Sequence, residues 1–225
     1  MTITNIEATA QTNYRIWGQN ATYATARSTA ANLDNQSYVA NNVVAAVYYT
    51  MRGYINFNTA LIPDGDVVSD VKLQMVLTSD SSTTDFDVEI CEQNWAAQDP
   101  LAAGNMEAAY DGCLAASTYY VWRNTAGISI NTQYTSPSLT PGYVNKTGIT
   151  YYSLRNSLDR IGTTPTDAST IIVGNAGNAT AAYRPLLIVT HGLGTQAVYR
   201  NQRGIESARP TRFFYCWNGL YYLGV

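Results

Sequence analysis

A chain of 225 residues with 46% hydrophobic content can bury a sizeable core in one large domain, or in a domain with an appended segment. Its net charge of −3 and its 13 scattered Lys and Arg exclude the electrostatic footprint of a nucleic-acid or anionic-membrane binder. Only 13% of residues are charged, against about 25% in an ordinary soluble domain, so Asn, Thr, Ser, Ala and Tyr must cover much of the surface.

Residues 1–22 are small and polar, anchored by Tyr14, Ile16 and Trp17, and read as an entering arm and an edge strand. They lack the basic and apolar regions of a secretory signal. No stretch approaches the roughly 20 apolar residues that cross a bilayer. Residues 23–42 read as Ala-, Asn- and Ser-rich loops, and a β-prone run follows from Val43 to Tyr49.

The stretch 52–77 reads as two strands. In the first, Ile55 and Phe57 share a face while Asn56 and Asn58 point the other way, the period-2 alternation of a half-buried strand. Pro63, Asp64, Gly65 and Asp66 then supply a turn. The second strand puts Val71, Leu73, Met75 and Leu77 on one face, opposite Lys72 and Gln74. Phe86, Val88 and Ile90 alternate with Asp85, Asp87 and Glu89, which predicts an exposed face of three carboxylates.

Residues 91–118 show no convincing period and predict a long loop with at most one helical turn. Cys91 and Cys113 sit here and Cys216 lies near the end; an odd count argues for unpaired thiols over a Cys91–Cys113 bridge. Strands are predicted over 119–122 and 128–134, with a loop over 136–142. Residues 149–161 predict a strand and a following turn; short aliphatic strands follow at 171–173 and 186–190. The fold class expected is all-β, a jelly-roll-like antiparallel β-sandwich over 23–191.

Beyond His191 the texture changes. Residues 192–225 hold Arg200, Arg203, Arg209 and Arg212 and end in Phe213, Phe214, Tyr215, Trp217, Tyr221 and Tyr222. This is too much apolar surface for a free tail. The segment is expected to dock as a hairpin around Asn218-Gly219 or to reach a neighbouring subunit. Its assembly residues would be Arg203, Arg209, Arg212, Phe213, Phe214, Trp217, Tyr221 and Tyr222.

Catalytic signals are sparse. The chain has one histidine, His191, at the end of an aliphatic strand, and shows no G-x-S-x-G elbow, H-E-x-x-H or phosphate loop. No enzyme activity and no cofactor is expected. A structural Ca²⁺ is the one metal considered, with Asp64, Asp66 and Asp70 as candidates, although their spacing matches no known loop and turn chemistry explains them. Tyrosine pairs at 48–49, 119–120, 151–152 and 221–222 would each point one ring out, where it could stack on a sugar or a protein neighbour.

The series Arg52, Tyr54, Phe57, Ile62, Pro63, Gly65, Val68, Leu73 and Met75, closed by Arg184, Pro185, Leu187 and Val189, resembles the disaggregatase-related, DNRLRE-type domain over about residues 14–191. Val71 and His191 depart from its pattern, which has a small residue and a tyrosine there. The resemblance implies a jelly-roll-like sandwich related in shape to carbohydrate-binding modules, found in secreted surface proteins and in phage structural proteins. The expectation is therefore a non-enzymatic virion structural protein, a capsid decoration, head-fibre or tail component, assembled in the host cytoplasm. Its partners would be copies of itself and other virion proteins, with neither nucleic acid nor membrane. The alternative is an extracellular carbohydrate-binding module or adhesin that recognises a surface glycan.

Overall fold

A computed structural model describes residues 1–9, 14–174, 178–194, 214–217 and 220–223, with the backbone alone for 37–38 and for the last two runs. The chain divides into two compact units, Met1–Gly194 and Thr195–Val225.

The elements of the first unit, in chain order, are β1 (Thr2–Glu7), β2 (Tyr14–Asn20), α1 (Tyr23–Ser28), β3 (Asn32–Asp34), β4 (Ser37–Val44), β5 (Val47–Asn58), β6 (Asp66–Asp80) and β7 (Asp87–Cys91). They continue with α2 (Met106–Ala115), β8 (Tyr119–Asn124), β9 (Gln133–Thr135), β10 (Ile149–Asn156), α3 (Ser157–Ile161), β11 (Thr170–Val173) and β12 (Leu186–Leu193). Strand pairing is antiparallel in the order β1-β12-β6-β11-β4-β5-β10-β7-β8, with β2 beside β5, β3 beside β2 and β9 beside β6. The fold is an all-β antiparallel sandwich.

β6 joins the layers. Its first part pairs with β12, Leu73 opposite Leu187 and Val71 opposite Val189, while its last residues, Leu77 to Asp80, pair with β11. The end of β1 returns to β5 through an Ala8–Phe57 bridge, where the Thr9 amide donates to the Asn56 carbonyl at 3.0 Å. The alternation in β6 puts Val71, Leu73, Met75 and Leu77 inside, against Ile55, Phe57, Val88, Ile90, Leu187 and Val189. Burying each such side chain stabilises the fold by roughly 1.5–3 kcal/mol. The turn before β6 is also as expected, with the Asp66 amide donating to the Pro63 carbonyl at 3.0 Å.

Several expectations change, and the loop expected over 23–42 holds β3 and most of β4. The run 43–49 is two strands, because Ala45 and Ala46 adopt φ of 48° and 63° and reverse the chain between β4 and β5. β5 is buried on both faces from Arg52 to Phe57, because a second layer covers the face that carries Tyr54 and Asn56. That layer comes from 91–118, where α2 has ten residues and buries Met106, Ala109, Tyr110 and Cys113, an i, i+3, i+4, i+7 stripe. Trp95, fully buried beside it, packs edge-on against Tyr14, Tyr54 and Tyr151. Residues 128–132 form no strand, and only Gln133–Thr135 pairs with β6. Shorter helices also appear: α1 lies in the predicted loop, and α3 follows β10 where a turn was expected.

In the second unit, β13 (Phe214–Trp217) and β14 (Leu220–Leu223) pair antiparallel, Trp217 opposite Leu220, as a hairpin about 218–219 requires.

Two consecutive alanines in the left-handed region carry a steric cost that Asn-Gly would relieve. The double replacement Ala45→Asn, Ala46→Gly should raise stability by about 1 kcal/mol or more in urea unfolding. A loss of stability would mean that this turn is not of the reversed type.

Candidate functional site

The outer layer is held by buried charge. Arg52 projects from β5 toward α2 and α3, and its side chain and that of Asp159 are both fully buried. It donates to the Asp159 carboxylate from Nε at 2.8 Å and Nη2 at 3.0 Å, to the Tyr110 carbonyl at 2.8 Å and to the Arg27 carbonyl at 2.9 Å. The guanidinium also stacks 3.8 Å from the Tyr110 ring centroid. Burial opposes its charge, but Asp159 more than compensates and keeps it protonated.

A second cluster sits one strand over. Arg155 of β10 donates to Glu89 of β7 at 2.7 Å and to the Cys113 and Leu114 carbonyls at 2.8 and 2.9 Å. Arg160 takes the other Glu89 oxygen at 2.7 Å. Gln93 and Tyr54 donate to the Ala109 carbonyl at 2.8 and 3.1 Å. Carbonyls in the last turn of α2 thus meet the Arg155 guanidinium, the favourable charge for that end of a helix dipole, while Arg52 meets the mid-helix Tyr110 carbonyl. Glu89 is consequently not part of an exposed acidic face; it is buried, while Asp85 is exposed and Asp87 intermediate.

His191 lies within β12, its ring turned into the end of the sandwich. Nδ1 is 2.7 Å from the Asp66 carboxylate and Nε2 is 2.8 Å from the Thr4 hydroxyl. An ionised carboxylate can only accept, so Nδ1 carries a proton; in the tautomer that leaves Nε2 bare, Nε2 accepts from the Thr4 hydroxyl. Hydroxyl, imidazole and carboxylate stand in the order of a nucleophilic triad. However, His191 is only 3% exposed, and Thr4 sits on a ladder position facing the core. The three pin β1 and the start of β6 to β12.

The more open feature is a cleft of about 140 Å³ lined by Asn94, Tyr143, Asn145, Ile149, Thr150 and Tyr151. The start of β10 supplies Ile149 to Tyr151, and the preceding turn supplies Tyr143 and Asn145. Tyr151 is buried against Trp95 at 4.7 Å and donates to Asp99 at 3.0 Å, so both rings of the 151–152 pair are internal. The Tyr143 hydroxyl is buried without a hydrogen-bond partner, and burial with the nearby Glu92 charge keeps it a neutral phenol. The lining offers amides, hydroxyls and aromatic surface but no cation. A second cavity of about 210 Å³ lies beside Arg123, Ile128 and Tyr134, where the Arg123 guanidinium stacks over the Tyr134 ring at 4.7 Å.

The acidic turn residues do not converge. Asp66 faces His191, Asp70 pairs with Lys72 at 3.3 Å, and Lys146 donates to the backbone carbonyls of Asp64 and Asp66. Among the described residues no group of three His, Cys, Asp or Glu is arranged to hold a metal. Cys91 and Cys113 are buried free thiols. Arg203, Arg209, Arg212 and Phe213 lie outside the described residues, as do the side chains of Phe214, Trp217, Tyr221 and Tyr222. No helix of the described residues is long and apolar enough to cross a membrane. The chain matches no protein-family model, and no curated protein matches it. The positions quoted for the motif are in large part core: Arg52, Tyr54, Phe57, Ile62, Leu73, Met75, Leu187 and Val189 are all at most 1% exposed.

Removing one partner of a buried ion pair strands the other, so Arg52→Ala should cost about 3–5 kcal/mol. Arg184→Ala, in a partly exposed pair with Glu7, should cost about 1 kcal/mol or less. Equal losses in chemical denaturation would contradict the buried network. Tyr151 and Tyr23 are each pushed up to about 12, foremost by burial, with Asp99 and Asp159 respectively adding to it. Because the native state holds these protons more tightly than the unfolded chain, these two groups leave stability unchanged up to about pH 10 and should lower it progressively toward pH 12. Unfolding midpoints measured across that range, with tyrosinate absorbance, check the sign.

Proposed function

We propose that this protein is a non-enzymatic structural component of a virus particle, a capsid decoration, head-fibre or tail component that acts through subunit assembly. The observation that carries the reading is the division of the chain. A sandwich covered on both faces of β5 is followed by a separate unit whose described structure is one hairpin with four residues in each strand. A two-stranded hairpin of that size is marginal in water without a surface to pack on. Its sequence, FYCW and LYYL, is rich in the aromatics that dominate protein interfaces. The low charge fits a surface that meets other subunits more than solvent. β1 adds a second contact edge: among the described residues it pairs with β12 and, through Ala8, with β5, and Ile3 within it and Met1 before it are 67% and 97% exposed.

The sandwich is then a stable spacer and the terminal unit is the connector. Deletion of 195–225 should leave a folded monomer that no longer self-associates, measured by sedimentation velocity beside the full chain. A truncated protein that assembles like the full chain, or that fails to fold, would overturn this division of labour.

The cleft at Tyr143 supports a second reading, a glycan-binding module. An unpartnered neutral hydroxyl, two asparagines and tyrosine surface without a cation suit a neutral hydroxylated ligand over an anionic one. Titration with neutral oligosaccharides should then show binding that Tyr143→Phe weakens about tenfold, the worth of one hydrogen bond. Binding unaffected by Tyr143→Phe would remove the cleft from consideration.

A further inference from the structure

Cys91 and Cys113 are each fully buried in the outer layer, among Tyr54, Trp95, Ala109 and Tyr110. Cys91 ends β7 opposite Ser153 in the ladder. Cys113, on the buried stripe of α2, places its sulfur 3.8 Å from the carbonyl of Leu154, the next residue of β10. Two thiols from different elements therefore lie over adjacent residues of β10, in one buried cluster. The backbone at Cys113 is fixed there by Arg155, which donates to its carbonyl at 2.8 Å.

We propose that Cys91 and Cys113 form a redox site: a dithiol in a reducing compartment that converts to an intramolecular disulfide under a peroxide oxidant. The bond would tie α2 to β7. The inference stands independently of any role in assembly.

The chemistry has a direction. Burial pushes the Cys113 thiol up, but a hydrogen bond from Cys91 and the Arg52 guanidinium outweigh it and hold Cys113 below the ordinary thiol value. Donating that hydrogen bond, together with burial, pushes Cys91 well up. Cys113 is thus the attacking thiolate and Cys91 the resolving thiol. The Cys113 sulfur attacks one peroxide oxygen, the O–O bond breaks, and hydroxide leaves to give a sulfenic acid. The Cys91 sulfur then attacks the Cys113 sulfur, forming the S–S bond and expelling the hydroxyl oxygen, with its proton, as water. Two thiols and one hydrogen peroxide yield one disulfide and two waters. Because both sulfurs are buried, peroxide reaches them through rare openings of α2, so the reaction is slow and accelerates in mild urea.

The bland alternative is a pair of inert core thiols, each behaving as a small hydrophobe. The experiment that separates the two uses the full chain carrying Cys216→Ser, so that the third cysteine cannot compete. The reduced protein is incubated with hydrogen peroxide, quenched, unfolded with an alkylating agent and digested without reductant. The proposal expects loss of both remaining thiols, a peptide cross-linked between Cys91 and Cys113, recovery of both thiols with dithiothreitol, and a melting temperature raised by about 5–10 °C in the oxidised form. Adding Cys91→Ala should stop the reaction at a sulfenic acid on Cys113 that dimedone labels. Persistence of two alkylatable thiols after peroxide in mild urea would overturn the proposal. Oxidation of Cys113 to sulfinic acid without the cross-link, or cross-linking only between molecules, would overturn it equally.

Discussion

The rest of the structure depends on Arg52. A guanidinium on the middle strand of a sandwich, with no exposed side-chain surface, is tolerable only if acceptors surround it. Asp159 supplies two oxygens and the carbonyls of Arg27 and Tyr110 two more, four acceptors for five N–H groups. Those groups come from α1, α2 and α3, helices separated by long stretches of chain. One side chain therefore sets where three helices sit on the outer face of β5 and β10. Arg155 with Glu89 fixes the end of α2 one strand away through Nε and Nη1, its Nη2 being buried without a hydrogen-bond partner.

This arrangement shapes what the protein can do. Both faces of β5 are used for packing, so the central strands leave little surface for chemistry. The polar triad of Thr4, His191 and Asp66 closes one end of the inner core and serves as a strand fastener. What remains open on the first unit is peripheral: the cleft at the start of β10, the cavity beside Arg123, and the edge at β1. A stiff body with peripheral contact points suits a protein that works by being placed among neighbours.

The inner core was legible in the sequence because period-2 alternation maps directly onto sandwich strands: Val71, Leu73, Met75 and Leu77 are inside, as are Phe86, Val88 and Ile90. The outer layer was not, and the reason is chemical. Its stripe is Met106, Ala109, Tyr110 and Cys113, in which only methionine reads plainly as apolar, so a helix looked like a structureless loop. Once that helix is missed, Glu89 and Asn56 appear to face water and Tyr151 appears free to stack on a ligand. Each is instead covered by the layer the pattern concealed. For the cleft, sequence offered tyrosine and asparagine abundance but no means of choosing Tyr143 or Asn94, which meet only through the path of the loops. The His191 cluster was likewise out of reach, since Thr4 and Asp66 lie 187 and 125 positions away from it along the chain.

The account stands on the outer layer being an integral part of the fold, clamped by buried guanidinium groups. Native-state hydrogen exchange of the full chain measures this most directly. Amides of 108–115 should exchange as slowly as those of β5 and β10, because lifting α2 strands Arg52 and Arg155. Exchange of α2 orders of magnitude faster than of β5 would show a loosely applied helix and contradict the account.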